Sequence, residues 1–206
     1  MQTTIQPYKA LALQISTEAV NACVDYAAAK PIMIHTIARV GKQIKASKVF
    51  IGADLKLVVL PEYFLTGFPM GESMEEWRKK GCIDMEGDVY DAIKQIAIDT
   101  QVYLSGNVYE LDPHFPELYF QTCFIIDPDG EIVLRYRRLN SMFAPTPHDV
   151  LNKYILIYGQ ESLFPVARTP IGSAIRFDPT KPVYNVNSPW GGFYEYTASN
   201  GNLTAL

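Results

Sequence analysis

The run Leu57-Val58-Val59-Leu60, closed by Pro61 and followed by Glu62, constrains this chain more than any other stretch. Consecutive apolar residues lack the alternation of a half-solvated strand, so they predict a strand covered on both faces, as parallel strands between helices are. Pro61 cannot donate to a sheet ladder and marks the strand's end. Glu62 therefore falls just past a carboxyl end, where open α/β sheets gather their ligands. Tyr63, Phe64 and Leu65 follow at once, which predicts a partly dry pocket. Burial there raises a carboxyl pKa toward that of a usable general base. The alternative is a solvated loop acid that happens to follow a strand.

The rest of the chain supplies the partners such a strand needs. Tyr8 to Ile15 predicts a first strand, and an Ala-rich stretch around Cys23 has no clear shape. From Ile32 to Ile44, Ile34, Ile37, Val40 and Ile44 recur at helical spacing, with Lys42, Lys45 and Lys48 late enough to favour the helix dipole. Glu72 to Lys80 predicts a short polar helix or an ordered loop. Val89, Ile93, Ile96 and Ala97 form a second helical stripe, with Asp88 as its expected N-cap. Val102 to Tyr109 predicts another strand, in which Gly106 permits close approach of a neighbour. Leu118 to Ile126 and Glu131 to Tyr136 flank Asp127-Pro128-Asp129-Gly130, a type I turn sequence, and predict a hairpin. His148 to Tyr158 predicts one more helix and Leu163 to Val166 one more strand. This order implies an α/β fold: a mixed sheet with helices on at least one face. From Ser173 onward the chain is rich in Pro, Gly, Asn and aromatics, which fits a β-rich extension, an arm against a partner subunit or a disordered tail.

Charge and cysteine usage exclude several function classes. With 18 Lys and Arg against 22 Asp and Glu, the net charge of −4 argues against nucleic acid as a partner. The amino end, MQTTIQPYKALALQIS, shows no signal-like segment, and no stretch is long enough to span a bilayer. The expectation is a cytoplasmic protein with no membrane partner. Cys23, Cys82 and Cys123 are too widely spaced for a disulfide framework, and with the histidines also scattered no metal site is expected. Neither a GxGxxG nor a P-loop is present, so no cofactor is expected and a flavodoxin-like binding protein is disfavoured.

Four segments, VVLPEYFLTGFP, GNVYE, TCFIIDPDGEIVLRYRRLNS and LFPVARTPIG, together resemble the nitrilase, or carbon–nitrogen hydrolase, superfamily. They stand in that family's order and approximate spacing and cover most of residues 8–172. The resemblance implies an α-β-β-α sandwich that associates into homo-oligomers. It also implies a Glu-Lys-Cys triad that hydrolyses a nitrile or amide. There the Glu takes the thiol proton, the thiolate attacks, the Lys stabilises the developing charge, and water releases the acyl group. On the same basis residues 1–172 form a nitrilase-like domain lacking much of the sandwich's second half, and 173–206 form an irregular carboxyl-terminal extension.

Carried over residue by residue, the resemblance makes Glu62 the base and Tyr63 a pocket-lining residue. The Lys position falls on Arg138, in Tyr136-Arg137-Arg138. A planar guanidinium cannot place one compact charge as an ammonium does, so Arg138 is either an oxyanion partner or only an ion pair for Glu62. Asp149, in PTPHDV, is the candidate supporting acid, with a helix N-terminal capping role as the alternative. No cysteine follows Cys123, which itself reads as a core residue of the hairpin strand. Two functions remain open: a hydrolase of small amides or nitriles, and a catalytically inactive nitrilase-fold binding or assembly module.

Overall fold

The computed structural model describes residues 6–141, 144–174, 196–197 and 203–204. Most of the extension expected over 173–206 lies outside the described residues. The first strand is β1 (Lys9–Ala12), shorter than predicted and largely exposed. It leads to α1 (Tyr26–Ile51), which begins six residues before the predicted stripe. The reason is local: the Asp25 side chain accepts from the Ala28 amide at 2.9 Å and caps the helix ahead of Pro31. The carbonyl that Pro31 cannot satisfy belongs to Ala27, which is exposed to water. The buried stripe runs through Ala29, Met33, Ile37, Val40 and Ile44; Ile34, counted in the predicted stripe, is 37% exposed.

After β2 (Leu55–Val59) come the short α2 (Met74–Arg78) and β3 (Ile83–Asp84), then α3 (Asp88–Thr100). The N-cap of α3 is Gly87 rather than Asp88; Asp88 is the first helical residue and its carboxylate pairs with Lys30 on α1. The two helices approach closely at Gly41, where an added Cβ would stand 3.4 Å from Ile96.

β4 (Tyr103–Leu111), β5 (Phe120–Ile126) and β6 (Ile132–Arg137) complete the main sheet, whose order is β1-β2-β4-β5-β6 with β3 also on β4. β1, β2 and β4 are parallel, whereas β4, β5 and β6 are antiparallel. The β5–β6 hairpin turns where predicted. Gly130 donates to the Asp127 carbonyl at 3.0 Å and adopts φ 87°, and the Asp127 carboxylate accepts from the Asp129 and Glu131 amides. Beyond it, residues Pro147–Val150 form a 3-10 turn that runs into α4 (Leu151–Tyr158). The strand predicted at Leu163 to Val166 is displaced: Gln160–Leu163 is a 3-10 turn, and β7 (Ala167–Thr169) starts after Val166. β7 pairs antiparallel with β8 (Gly172–Ala174), and the short β9 (Tyr196–Thr197) and β10 (Leu203–Thr204) extend this second sheet.

The β2 run is buried as its sequence requires. Val58 and Leu60 join the main core under α1 and α3, while Leu57 and Val59 face a second cluster with Tyr103, Ile125, Leu134 and Ala167 of β7. The described layers are thus helices, a mixed sheet, and a small second sheet on the opposite face. No described helix is long and apolar enough to cross a membrane.

Gly106 is where β4 and its neighbours meet most tightly. A Cβ there would lie 2.7 Å from Phe124 and 3.2 Å from Phe64, both fully buried rings with nowhere to move. Gly106→Ala is expected to cost about 1–3 kcal/mol of stability. Urea unfolding that places the variant level with the parent would refute this packing.

Candidate active site

β2 and β3 lie on one edge of β4 in succession, and the site opens between them. β2 follows β4 as far as Ser105, whose carbonyl accepts from the Leu60 amide at 2.8 Å, and β3 takes up the same edge at Glu110. In the interval Pro61 turns the chain out of the ladder, carrying Glu62 and Tyr63 with it. Tyr63 adopts φ 59°, a left-handed conformation uncommon for a bulky side chain. Its ring is held against Phe68 and Tyr109, with centroids 5.4 and 5.8 Å away. Backbone strain of this kind persists only where the surroundings over-determine it.

Glu62 and Arg138, far apart in sequence, are brought together here. Arg138 Nη1 stands 3.9 Å from Glu62 Oε1, and the two side chains are 25% and 17% exposed. Between them lies Gln121 of β5. Its Nε2 donates to Glu62 Oε1 at 2.7 Å, and its Oε1 accepts from Arg138 Nη1 at 2.7 Å. Arg138 follows β6 directly, and its amide donates to the Gln121 carbonyl at 2.9 Å, so the hairpin ladder itself sets this juxtaposition.

Burial pushes the Glu62 carboxyl above the usual glutamate range, against hydrogen bonds from Tyr63 and Gln121 and the positive charge of Arg138. The Tyr63 phenol interacts with both Glu62 and Gln121, and burial raises its pKa as well. The arrangement can accept a proton at Glu62 beside a cation, in a site only partly open to water.

Asp149 is placed differently. Its carboxylate accepts from the Thr146 amide at 2.7 Å and from the Thr146 hydroxyl at 3.0 Å, closing a capping box ahead of α4. These bonds hold its pKa below the usual aspartate value. No hydrogen bond or ion pair joins it to Glu62 or Arg138 among the described residues.

Cys123, expected in the core, is half-buried and lies outside the apolar clusters. It shares a strand face with Gln121, two residues away, and pairs across the sheet with Asn107 and Tyr136. The Asn107 side-chain amide donates toward its sulfur at 3.6 Å. Burial, then the Glu62 charge, push the thiol up to about 11, so it is protonated at neutral pH. No described group of His, Cys, Asp and Glu could hold a metal ion.

Sequence reasoning missed Gln121 and Asn107, although polar residues inside otherwise apolar strands were a signal. It also missed a buried ionic hub on the other face of β6. Arg137, 2% exposed, pairs with Glu110 at 2.7 Å and Asp112 at 2.5 Å. Glu110 also accepts from Tyr90 at 2.8 Å and lies 3.2 Å from Arg135, and Asp112 accepts from Tyr158 at 2.5 Å. The Arg137 guanidinium lies over the Phe120 ring, 4.6 Å from its centroid.

The profile of the carbon–nitrogen hydrolase family matches residues 13–179. A bifunctional nitrilase/nitrile hydratase of Lupinus angustifolius is 29% identical over 145 residues, covering 62% of this chain and 39% of the relative. Nitrilase 2 of Arabidopsis thaliana is 29% identical over 160 residues, covering 68% and 44%. A formamidase of Bacillus cereus is 32% identical over 94 residues, covering 45% and 27%. The chain thus spans less than half the length of these relatives. Among solved structures, Saccharomyces cerevisiae Nit3, of branch 10 of the nitrilase superfamily, aligns with a TM-score of 0.50 at 20% identity. That alignment covers 70% of this chain and 49% of Nit3, and it shares the fold. The strand ending at Glu62, the hairpin leading to Arg138 and the β7 strand beyond all lie within the matched span, and the chain belongs to the carbon–nitrogen hydrolase family.

Proposed function

We propose that this chain carries the base and cation of a hydrolase site for a small amide or nitrile. Glu62 takes the proton of the attacking group as a bond forms to the amide or nitrile carbon. The π pair of the C=O or C≡N bond moves onto its oxygen or nitrogen, and the proton held by Glu62 is returned to the nitrogen that leaves as ammonia. Arg138 faces the oxygen or nitrogen on which negative charge develops, occupying the position of the family's lysine. The observation that carries this reading is the approach of Glu62 and Arg138 at 3.9 Å beside a sheet's carboxyl end. The raised carboxyl pKa of Glu62 supports it, because a base works best when its pKa lies near the operating pH. Association into homo-oligomers and residence in the cytoplasm are part of the same proposal, by analogy with the family.

A second reading is a catalytically inactive binding or assembly module. It is favoured by Arg138, a planar guanidinium where the family resemblance places a lysine ammonium.

Ammonia release from a panel of small amides and nitriles separates the two. The hydrolase reading expects release that Glu62→Gln lowers by roughly 10²–10⁴-fold, the usual contribution of a general base. Release no greater than that of Glu62→Gln removes the hydrolase and leaves the module.

A further inference from the structure

We infer that Gln121 is a positioning residue whose side-chain amide holds Glu62 and Arg138 apart, so that the carboxylate stays able to take a proton instead of closing onto the guanidinium. This rests on the proposed reading of the site and adds a residue to it.

The geometry argues this in three steps. An arginine and a carboxylate left to themselves in a partly buried site close into a bidentate pair with bonds of about 2.8 Å. Here the closest approach is 3.9 Å, and the gap is spanned by an amide bonded at 2.7 Å to each partner. The amide has only one workable orientation. Nε2 faces two acceptors, Glu62 Oε1 and, at 3.5 Å, Asn107 Oδ1, while Oε1 faces the cation. Reversed, it would set an NH2 against a guanidinium and an oxygen against two oxygens. Finally, Gln121 is itself buried and registered: its backbone pairs with Tyr109 on β4 and accepts from the Arg138 amide. Its side chain therefore starts from a fixed point between the loop after β2 and the end of β6.

Among the described residues, the charged and titratable groups facing Glu62 are Tyr63 from its own loop, Cys123 from β5 and Arg138 after β6. Of these only Arg138 is cationic, so a change in the separation of Glu62 and Arg138 reads out directly in how tightly Glu62 holds its proton.

The test is titration of the Glu62 carboxyl by 13C NMR, with Glu62→Gln identifying the resonance, in the wild type and in Gln121→Met. Methionine matches the length of glutamine but has no donor for Glu62 and only a weakly accepting sulfur for Arg138. If Gln121 is a spacer, Arg138 closes onto Glu62 and proton affinity falls by about tenfold or more. In a Gln121→Met/Arg138→Met double variant that fall disappears. If Gln121 only donates a hydrogen bond, its loss leaves the affinity unchanged or raises it, and the inference is overturned. Gln121→Leu serves as the second variant should Gln121→Met fail to fold. Because the readout is a proton affinity, it stands apart from the ammonia assay: a chain that releases no ammonia can still show the fall.

Discussion

Replacing Arg137 by methionine is expected to lower the unfolding free energy by roughly 3–5 kcal/mol, the cost of leaving buried charge without its partner. Glu110 and Asp112 have fully buried carboxylates, and Arg137 bridges them from between the rings of Phe120 and Tyr158. Without it Glu110 keeps Arg135 and the Tyr90 hydroxyl, and Asp112 keeps the Tyr158 hydroxyl and the His114 amide. Those contacts are too few to replace the solvation that two carboxylates gave up. Adding Glu110→Gln should restore part of the loss, since a neutral amide still meets Tyr90 without an unpaired charge. Urea midpoints with an unchanged slope measure both effects. A loss of less than about 1 kcal/mol for Arg137→Met would mean the hub is far wetter than its burial indicates. The effect reaches the candidate site as well. Neighbouring residues of a strand point to opposite faces, so the anchoring of Arg137 in the hub presents Arg138 to Gln121 and Glu62.

Arg138→Met is the variant expected to change chemistry most while sparing the core. If the site hydrolyses amides or nitriles, losing the stabilising cation should lower the rate roughly 10²–10³-fold. A second effect has a fixed sign. The Arg138 charge lowers the Glu62 pKa against burial, so its removal lets that pKa rise further. Glu62 must be deprotonated to act as a base, so the acidic limb of the pH–rate profile should move to higher pH. Arg138→Lys keeps the charge and should leave the limb near its original position, while its shorter reach to Gln121 changes the rate alone. Measuring kcat/KM across pH for the three proteins distinguishes these outcomes. A limb that stays put in Arg138→Met would show that Arg138 and Glu62 are not electrostatically coupled in solution.

Some features were legible because they are local. The type I turn of Asp127 to Gly130 is written in its proline, its glycine and the aspartate that bonds two later amides. The α3 stripe of Val89, Ile93, Ile96 and Ala97 is buried at the spacing its periodicity demands. Where local signals compete, reading missed an element's start or its cap. The true start of α1 lies in the Ala-rich stretch that had no clear shape, where the Asp25 cap decided it, and Asp88 looked like an N-cap although its carboxylate serves Lys30. Cys123 lay in an apolar strand, and strand membership alone does not say which face a residue takes. Only the register with Asn107 and Tyr136 turned it toward the face that carries Gln121.

By itself, then, the sequence determined the alternation of strands and helices, the turn chemistry, and the exit of Glu62 from a strand covered on both faces. Each depends on residues a few positions apart, and hydrophobic period, proline and glycine act at that range. Tertiary structure alone decided that Gln121 stands between Glu62 and Arg138, and that Arg137 sits among buried carboxylates. Those facts depend on which strands pair and in what register, and the free energy that selects a register is shared by the whole sheet.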